Sequence, residues 1–425
     1  MKDRLDALNA ITDVVMKYRP AKGGPSGTRA IKESLFTFYE FFAGGGMVRA
    51  GLGPKWKCLF ANDFDLRKSA AYKSNWGGNA LVTKDVLKLE TSEIPGTASL
   101  VWASFPCQDL SLAGMGAGLR GNRSGTFWPF WTLIEKLRSE QRGPRLVVLE
   151  NVCGMLTSHE GKDFVAIADA LASAAYQFGA VVIDAVEFVP QSRPRLFIVA
   201  VAGDTPIPAG IVSVEPTDRH TSALRSAHAL LKDKAREGWV WWKIPPAEQR
   251  TSRFADLIEE NPSSVEWHTA DETKRLLGMM TPVNLTKVAA AKKSGKLHVG
   301  TVYKRTREDE KGTKFQRAEV RFDNIAGCLR TSTGGSSRQS ILIVKGGEVR
   351  SRLISSRETA RLMGLPDTYK LPQRYNEAYH LTGDGVVVPV VRHLAANVLE
   401  PILAVRASRN GTRCAWPAAA TAPRS

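Results

Sequence analysis

Short apolar runs alternate with longer helical stretches through the first half of the chain. Most of these runs are continuously apolar, and they comprise Phe36–Phe41, Lys57–Ala61, Leu100–Ala103, Leu146–Leu149, Ala180–Phe188 and Leu196–Val201. Strands that helices cover on both faces have this pattern, whereas half-exposed strands alternate apolar and polar positions. The sequence therefore predicts an α/β fold with a doubly wound, mostly parallel sheet.

The pattern changes around Asp204 and becomes regular again past Ile341. The intervening segment is rich in Pro, Trp and charge, and between Lys287 and Arg321 it has eleven Lys or Arg against four Asp or Glu. A strand at Ile341–Val344, a helix opening at Ser356 and a final helix near His393–Val405 follow. We therefore predict a catalytic domain in two parts, residues 35–203 and 341–407, interrupted by a basic recognition domain at 204–340.

The two ends of the chain are predicted to lie outside these domains. Residues 1–34 combine a weak helical period with a Pro/Gly/Ser-rich linker, and they are treated as an N-terminal extension. Residues 408–425 are rich in Ala, Pro and Arg and are expected to be disordered.

Composition narrows the class of protein. The 425 residues are 43% hydrophobic, enough for two cores, and the formal net charge of +17 favours a polyanionic partner, nucleic acid first, over a merely basic soluble protein. Five cysteines without a CxxC pair indicate a reducing compartment and no zinc site. No apolar run approaches the roughly 20 residues that span a membrane. We expect a cytoplasmic, nucleoid-associated protein with no membrane partner.

A glycine-rich turn follows the first predicted strand, at Phe41–Met47. Such a turn lets a ligand approach the backbone and exposes helix N-terminal N–H groups, although a tight turn without a ligand has the same sequence. Asp63 ends the second strand about 20 residues later, where an acid typically binds ribose hydroxyls. Asp85 is placed to accept from an adenine amino group. The layout fits a nucleoside, and it leaves S-adenosylmethionine and a dinucleotide both open.

Cys107 follows a buried strand and a proline, which places its thiol at the ligand-binding edge of an open sheet. A cysteine alone is more often inert packing. As a nucleophile it needs an activated thiolate and an electrophile within reach. Cytosine C6 becomes electrophilic only when N3 is protonated or strongly hydrogen-bonded. Glu150, directly after the strand Leu146–Leu149, supplies a carboxyl group for that purpose; the alternative is a capping residue in a loop.

Arg193 and Arg195 stand just before the last apolar run of the first half, on a loop stiffened by Pro194. They would hold a base oxygen, pair with phosphate or orient Glu150, unless the loop is simply basic and solvated. Glycines between Gly114 and Gly121, with Arg120, Arg123 and Ser124, predict a loop that closes over a ligand. The aromatic residues of the inserted domain are expected to form its small core.

Together these segments resemble the DNA (cytosine-5) methyltransferase family. The matching segments include Phe42-Ala43-Gly44-Gly45-Gly46, Asn62-Asp63-Phe64-Asp65, Phe105-Pro106-Cys107-Gln108, Glu150-Asn151-Val152, Gln191-Ser192-Arg193-Pro194-Arg195 and Gly383-Asp384-Gly385-Val386. The resemblance covers about residues 36–197 and 325–403, and the segment between is the family's variable target-recognition domain.

The resemblance implies an S-adenosylmethionine-dependent enzyme with a Rossmann-like fold that methylates C5 of a cytosine flipped out of duplex DNA. Cys107 would attack C6, with Glu150, Arg193 and Arg195 as the other catalytic residues, and no metal would be required. S-adenosylhomocysteine would be the product. The implied cofactor-binding residues are Phe42, Ala43, Gly44, Gly45, Gly46, Asp63, Phe64, Asp85, Val86, Pro106, Phe127, Asp384 and Val386.

Three of the motifs depart from the family pattern. Met47 stands where the family usually has glycine, and Gly383-Asp384-Gly385-Val386 replaces Gly-Asn-Ser-Val. The carboxylate of Asp384 would face the polar end of the cofactor and weaken its binding or change the preferred cofactor. Cys328 stands where a threonine is often found, with Thr331 and Thr333 nearby.

Two other functions remain open at this stage. A tRNA cytosine-5 methyltransferase shares most of these motifs, but the basic insert of about 120 residues favours DNA. A binding protein with a silent catalytic core is disfavoured by Cys107, Glu150, Arg193 and Arg195. The expected form is a monomer, with a cognate restriction endonuclease as a possible partner, and irregular segments give no code for the target sequence.

Overall fold

Seven strands form the central sheet in the order β3-β2-β1-β4-β5-β7-β6. The computed structural model describes residues 36–106, 126–308, 310, 312–330 and 338–405. Neighbouring strands from β3 to β5 are parallel, and β7 is antiparallel to both of its neighbours. The strands are β1 (Phe36–Phe41), β2 (Trp56–Asp63), β3 (Leu81–Thr83), β4 (Leu100–Ala103), β5 (Leu146–Val152), β6 (Tyr176–Asp184) and β7 (Pro194–Ala202).

The predicted α/β class with a mostly parallel sheet is confirmed. All four residues of β4 are buried, as are the first six of β5, because helices cover the sheet on both faces. One predicted strand end was wrong. β6 ends at Asp184, where the prediction extended it to Phe188. The Asp184 side chain accepts from Val186 N at 3.1 Å and caps a short 3-10 turn, Ala185–Glu187.

Helices from both parts of the chain build the two layers. α1 (Met47–Leu52) and the C-terminal helices share one hydrophobic core against the sheet, and α3 and α4 lie in the core of the opposite face. The remaining helices are α2 (Leu66–Trp76), α3 (Phe127–Ser139), α4 (Lys162–Ser173), α5 (Ser222–Ala229), α6 (Asp233–Glu237), α7 (Ala270–Gly278), α8 (Pro282–Lys293), α9 (Ser356–Leu362), α10 (Tyr375–Asp384), α11 (Val388–Leu394) and α12 (Glu400–Ala404).

A second sheet of four antiparallel strands, in the order β11-β10-β12-β13, follows the catalytic strands. A short pair, β8 (Val212–Ser213) and β9 (Trp241–Trp242), precedes it. The four strands are β10 (Leu297–Glu308), β11 (Lys314–Arg321), β12 (Ser340–Lys345) and β13 (Glu348–Leu353). α7 and α8 contribute Leu276, Val288 and Ala291 to the apolar core on this sheet. The strand expected at Ile341–Val344 is therefore present, and it pairs with β10 in this second sheet.

A buried ion pair joins the second sheet to the helices that complete the first domain. Arg352 of β13 donates to both carboxylate oxygens of Glu358 in α9, at 2.8 and 2.6 Å, and both side chains are fully buried. Ser355 caps α9, and its N–H donates to Glu358 at 2.7 Å. A bidentate guanidinium–carboxylate pair restricts orientation as well as distance, so the sheet and α9 are held in one geometry.

The C-terminal helical stretch Tyr375–Ala404 is long and apolar enough, by length and composition, to cross a membrane. In the fold it is interrupted at Gly385, and 61% of its apolar window is buried inside the protein. Val391, Leu394 and Val398 are among its residues in the core with α1 and the sheet. Its hydrophobicity is thus used to complete the catalytic domain.

Candidate active site

The predicted site residues converge because the carboxyl ends of the parallel strands β1–β5 and the start of β7 lie at one edge of the sheet. β1, β4 and β5 are parallel and in register, with Phe41 paired to Ala103 and Ala103 to Leu149. β7 runs the other way, so its first residues, Pro194 and Arg195, lie at the same edge. Strand order reverses between β1 and β4, which is where open α/β sheets bind ligands.

The glycine-rich turn after β1 is held in an unusual backbone conformation. Phe42 has a φ of 57° and Gly44 a φ of 55°, which is a backbone region that residues other than glycine rarely adopt. Asp63 at the end of β2 accepts from Gly44 N at 2.8 Å and from Asp65 N at 2.8 Å. This carboxylate therefore fixes the turn against β2. Burial raises the pKa of Asp63, and these backbone donors oppose that effect.

The other side of the turn is fastened through the carbonyl of Gly45. Tyr369 Oη donates to it at 2.7 Å and Trp76 Nε1 at 3.0 Å. Gly46 follows in the left-handed conformation, with a φ of 77°, and caps α1. The turn is therefore shaped by contacts from β2, α2 and the C-terminal part of the chain.

Exposed apolar side chains surround the crevice next to this turn. Phe64, directly after β2, is 70% exposed, and Leu87, in the short 3-10 turn that follows β3, is 67% exposed. A side chain placed on Gly44 would meet nothing within 4 Å, so there is open space beside the backbone. Asp85 caps the short turn after β3 by accepting from Leu87 N at 3.0 Å. An adenine and ribose fit this combination of apolar surface, free backbone and carboxylates.

The other residues predicted to bind a cofactor differ in exposure. Pro106 is exposed at the end of β4. Ala43, Val86 and Val386 are buried, and Val386 lines a small cavity together with Arg193 and Arg195. Phe127 is fully buried in α3 and packs 5.3 Å from the ring of Phe105 and 6.0 Å from that of Trp131, so the structure places it in the core beneath the crevice.

Glu150 forms an ion pair at the catalytic end of β5. Its Oε1 lies 3.2 Å from Arg195 Nε, and the two side chains are 8% and 15% exposed. The next residue, Asn151, donates through Nδ2 to Phe105 O at 3.0 Å and so ties the end of β5 to the end of β4. Cys107 lies outside the described residues, as do Arg120, Arg123 and Ser124. The chain leaves Pro106 toward Cys107 at this point.

Arg193 is buried, and both terminal nitrogens of its guanidinium are hydrogen-bonded, whereas Nε has no partner among the described residues. Its guanidinium donates to Leu329 O at 3.0 Å, to Gly383 O at 2.7 Å and to Gly385 O at 2.7 Å, and Cys328 Sγ lies 3.3 Å from Nη1. Burial lowers the pKa of Arg193 to about 10. Arg193 therefore joins the segment at Cys328 and Leu329 to the end of α10. It is not part of a solvated basic loop, which was the alternative interpretation of the sequence.

Cys328 lies between the two arginines, with Sγ 3.3 Å from Arg193 Nη1 and 3.9 Å from Arg195 Nη2. Burial raises the pKa of this thiol, but the guanidinium groups outweigh burial and the pKa is lowered below its usual value. Burial raises the pKa of the nearby Cys153 thiol. The position where the family often has threonine thus carries a thiol whose pKa the two arginines lower.

The carboxylate of Asp384 is paired with a lysine. Lys68 Nζ, on α2, lies 2.7 Å from Asp384 Oδ2 at the end of α10. Burial alone would lower the pKa of Lys68, but Asp384 and then Asp63 outweigh it, so the pKa is raised and the ammonium is retained. The added negative charge at the polar end of the crevice is therefore balanced from within the chain.

The two remaining departures contact each other. A side chain on Gly385 would lie 2.9 Å from Cε of Met47 and would overlap its Sδ. Met47 is buried, so its side chain has little room to withdraw. The larger residue at 47 therefore requires the absence of a side chain at 385, and one packing contact explains both positions.

Sequence reasoning missed three positioning residues, Lys68, Asn151 and Gln191. Gln191 is fully buried, donates to Leu362 O at 2.8 Å and accepts from Leu329 N at 3.2 Å. Asn151 and Gln191 lie inside motifs shared with the family, and this location could have identified them as residues of the site. Lys68 is one of several basic residues on a helix, and its partner is 316 positions away. Within the described residues, no group of three or more His, Cys, Asp or Glu could hold a metal ion.

Known proteins are similar to this chain in sequence and in fold. The sequence profile of the family described as C-5 cytosine-specific DNA methylase matches residues 36–400. The type II methyltransferase M.BsuFI of Bacillus subtilis is 27% identical, covering 86% of this chain and 73% of that protein. M.HpaII of Haemophilus parainfluenzae is 26% identical, and the match covers 95% of this chain and 99% of that protein. The fold is similar to that of the S. pombe Dnmt2 methyltransferase, with a TM-score of 0.51, 16% identity and coverage of 86% and 99%.

The arginine contacts of Cys328 predict the pH dependence of its alkylation. The thiolate is the reactive form, and the guanidinium groups favour it, so Cys328 should react with iodoacetamide at lower pH than Cys153. Arg195→Met removes one positive charge and should move the Cys328 midpoint to higher pH, whereas Arg195→Lys keeps the charge and should move it less. Peptide mass spectrometry resolves the cysteines, and equal midpoints in the wild type and Arg195→Met would contradict this assignment.

The contact between Met47 and Gly385 predicts a strong dependence of one substitution on the other. Gly385→Ala should lower the free energy of unfolding by about 1–3 kcal/mol through overpacking. In a Met47→Ala background the same change should cost close to nothing. Gly347→Ala is the control, since a side chain there meets nothing within 4 Å. Urea unfolding measures all four variants, and a cost of Gly385→Ala that is independent of residue 47 would refute the contact.

Proposed function

The chain belongs to the C-5 cytosine-specific DNA methylase family, and on that premise we propose that it transfers a methyl group from S-adenosylmethionine to C5 of a flipped-out cytosine in duplex DNA. The observation that carries the proposal is the Glu150–Arg195 pair at the end of β5, next to the end of β4 that leads to Cys107. A buried carboxyl group beside a cysteine-bearing loop matches the needs of a base that must be activated before a thiol attacks it.

The reaction begins with the cytosine outside the base stack, since its C6 is out of reach within a duplex. Glu150 forms hydrogen bonds with N3 and the exocyclic amine, which draws electrons from the ring and makes C6 electrophilic. Arg195 holds the Glu150 carboxyl in place from the other side, as the ion pair of 3.2 Å supports. Cys107 Sγ then adds to C6, and the electron pair moves to C5.

The rest of the cycle restores the aromatic base. S-adenosylmethionine supplies the methyl group that C5 takes up. Loss of the C5 proton to a base then returns the electron pair to the ring, the C6–S bond breaks, and Cys107 leaves as a thiolate. Cys107 is thus both nucleophile and leaving group, which a thiol serves well because its thiolate is stable near neutral pH.

The crevice at the glycine-rich turn would hold the methyl donor. Gly44 offers open backbone, the exposed ring of Phe64 offers a surface for adenine, and Asp63 and Asp85 offer carboxylates near the ribose and adenine amino positions. The ion pair of Lys68 and Asp384 offers one positive and one negative group to the zwitterionic end of the methionine part. The residues therefore fit the donor. Gly44 and Phe64 offer accessible surface, whereas the Asp63 carboxylate is buried and already accepts from Gly44 N and Asp65 N.

Duplex DNA is the proposed substrate, in preference to tRNA, because the chain carries a basic domain with its own sheet beside the site. M.BsuFI and M.HpaII are named type II methyltransferases, which supports a sequence-specific modification enzyme with a cognate endonuclease. We treat the enzyme as a monomer in the cytoplasm of the cell. The experiment below compares both nucleic acids directly.

A covalent trap tests the proposal. Duplex DNA containing 5-fluorocytosine should form an adduct with the wild-type protein in the presence of S-adenosylmethionine, because fluorine cannot leave C5 as a cation. The adduct survives a denaturing gel. Cys107→Ala should form none, and Glu150→Gln should form it about 100-fold or more slowly, which is the range of a lost acid–base group.

Two results would overturn the proposal. One is a wild-type protein that binds the duplex and S-adenosylmethionine yet forms no adduct, which would indicate a silent catalytic core. The other is an adduct with 5-fluorocytosine tRNA alone. An adduct that persists in Cys107→Ala would assign the nucleophile to another residue.

A further inference from the structure

Strands β10 and β11 of the second sheet extend beyond the end of β12 as a two-stranded ribbon. β12 pairs with β10 from Leu297 to Val302 and, within the described residues, no further, whereas β11 stays paired with β10 as far as Glu308. Residues 303–308 and 314–319 therefore form a two-stranded antiparallel segment, here called the ribbon. In its outer part residues 305–308 are exposed, as are Lys314 and Gln316, whereas Phe315 and Arg317 are half-buried.

The two faces of the ribbon differ in chemistry. Side chains directly opposite each other in the pairing share a face. Lys304, Thr306 and Glu308 lie opposite Ala318, Gln316 and Lys314 on one face. The other face, here called the arginine face, consists of Tyr303, Arg305, Arg307, Phe315, Arg317 and Glu319.

Charge on the arginine face opposes the pairing of its own strands. Arg305 lies directly opposite Arg317, and like charges in that relation destabilise a sheet. Glu319 is 3.4 Å from Arg305 and 3.5 Å from Arg307, so one carboxylate serves two guanidinium groups. The third guanidinium, of Arg317, lies 5.1 Å over the ring of Phe315. Local conflicts of this kind mark functional positions, since folding gains nothing from them.

The arginine face is the one turned toward the catalytic site. Tyr303, at its base, is next to Gly327, where an added side chain would lie 3.3 Å from Tyr303 Cε1. Gly327 precedes Cys328, which contacts both Arg193 and Arg195. The opposite face is covered at its base, where Ala318 is buried in the apolar core with Leu276 and Met280. A ligand held by Glu150 would thus extend along the arginine face.

We propose that the ribbon enters the major groove of the substrate DNA, with Arg305 and Arg317 reading base edges next to the target cytosine. This inference rests on the proposed function, because it takes duplex DNA as the substrate. The major groove admits a two-stranded β ribbon, and arginine pairs with the two acceptors on the groove edge of guanine. The polyanionic duplex also supplies the negative charge that the arginine face lacks.

Discrimination between two duplexes tests the ribbon. The target sequence is first obtained by sequencing methylated DNA after the wild-type enzyme has acted on a plasmid. Dissociation constants are then measured for the target duplex and for a scrambled duplex. Arg305→Ala and Arg317→Ala should each reduce the ratio between these constants about tenfold or more, the range of a lost guanine contact. Lys314→Ala, on the opposite face, removes the same charge and should leave the ratio unchanged.

Thermal unfolding of the same variants distinguishes a role of these arginines in DNA recognition from a role in folding. The repulsion between Arg305 and Arg317 opposes the exposed ion pair of Arg305 with Glu319 and the contact of Arg317 with the Phe315 ring, and such surface contacts contribute little to stability. Removing either arginine should therefore leave the thermal unfolding midpoint nearly unchanged, and S-adenosylmethionine binding should be unaffected. A ratio that neither variant alters would overturn the proposal. Equal losses on both duplexes would also overturn it, since they would show phosphate contacts alone.

The two proposals fail in different ways. If the wild-type enzyme forms no adduct and methylates no DNA, the proposed function is wrong. If it methylates a defined sequence while both arginine variants keep full discrimination, the proposed function stands and the ribbon proposal is wrong.

Discussion

The buried guanidinium of Arg193 is the constraint on which the site depends. It reaches three carbonyls and a thiol that are far apart in sequence: Cys328 and Leu329 lie in the segment between β11 and β12, and Gly383 and Gly385 lie at the end of α10. A cation removed from water destabilises the fold when its donors lose their partners. These segments therefore have one mutual arrangement in which both terminal nitrogens of the guanidinium are hydrogen-bonded.

The chemistry follows from Arg195, which is two residues further along the chain. Arg193 lies directly before β7, and Arg195 is the second residue of that strand. Arg195 reaches Glu150 across the pairing of β7 with β5, and both arginines contact the sulfur of Cys328. One arginine thus fixes the frame, while the other is paired with the carboxyl that we propose activates the base. The sulfur of Cys328 contacts both arginines, and their charges lower the pKa of its thiol.

The fold class followed from the sequence, because continuously apolar strands predict a parallel sheet that helices cover on both faces. The location of the site also followed, because parallel strands have their carboxyl ends at the same edge of a sheet. The roles of single residues did not. Arg193 and Arg195 look alike in sequence, and only the tertiary structure buries one of them and pairs the other with Glu150. Asp384 looked like a defect of the cofactor site until Lys68 appeared beside it, and Met47 and Gly385 explain each other only in contact. Pairs this distant along the chain leave no local pattern.

The most direct test of this account is the affinity of Arg193→Lys for S-adenosylmethionine. Lysine keeps the charge but lacks the planar fork that joins the carbonyls of Leu329, Gly383 and Gly385. The account predicts that affinity falls about tenfold or more, in line with the loss of hydrogen bonds to a buried charged group, while the far-ultraviolet circular dichroism stays native. Arg392→Lys, which alters a half-exposed arginine outside the site, should bind normally. Wild-type affinity in Arg193→Lys would show that the crevice does not depend on this guanidinium.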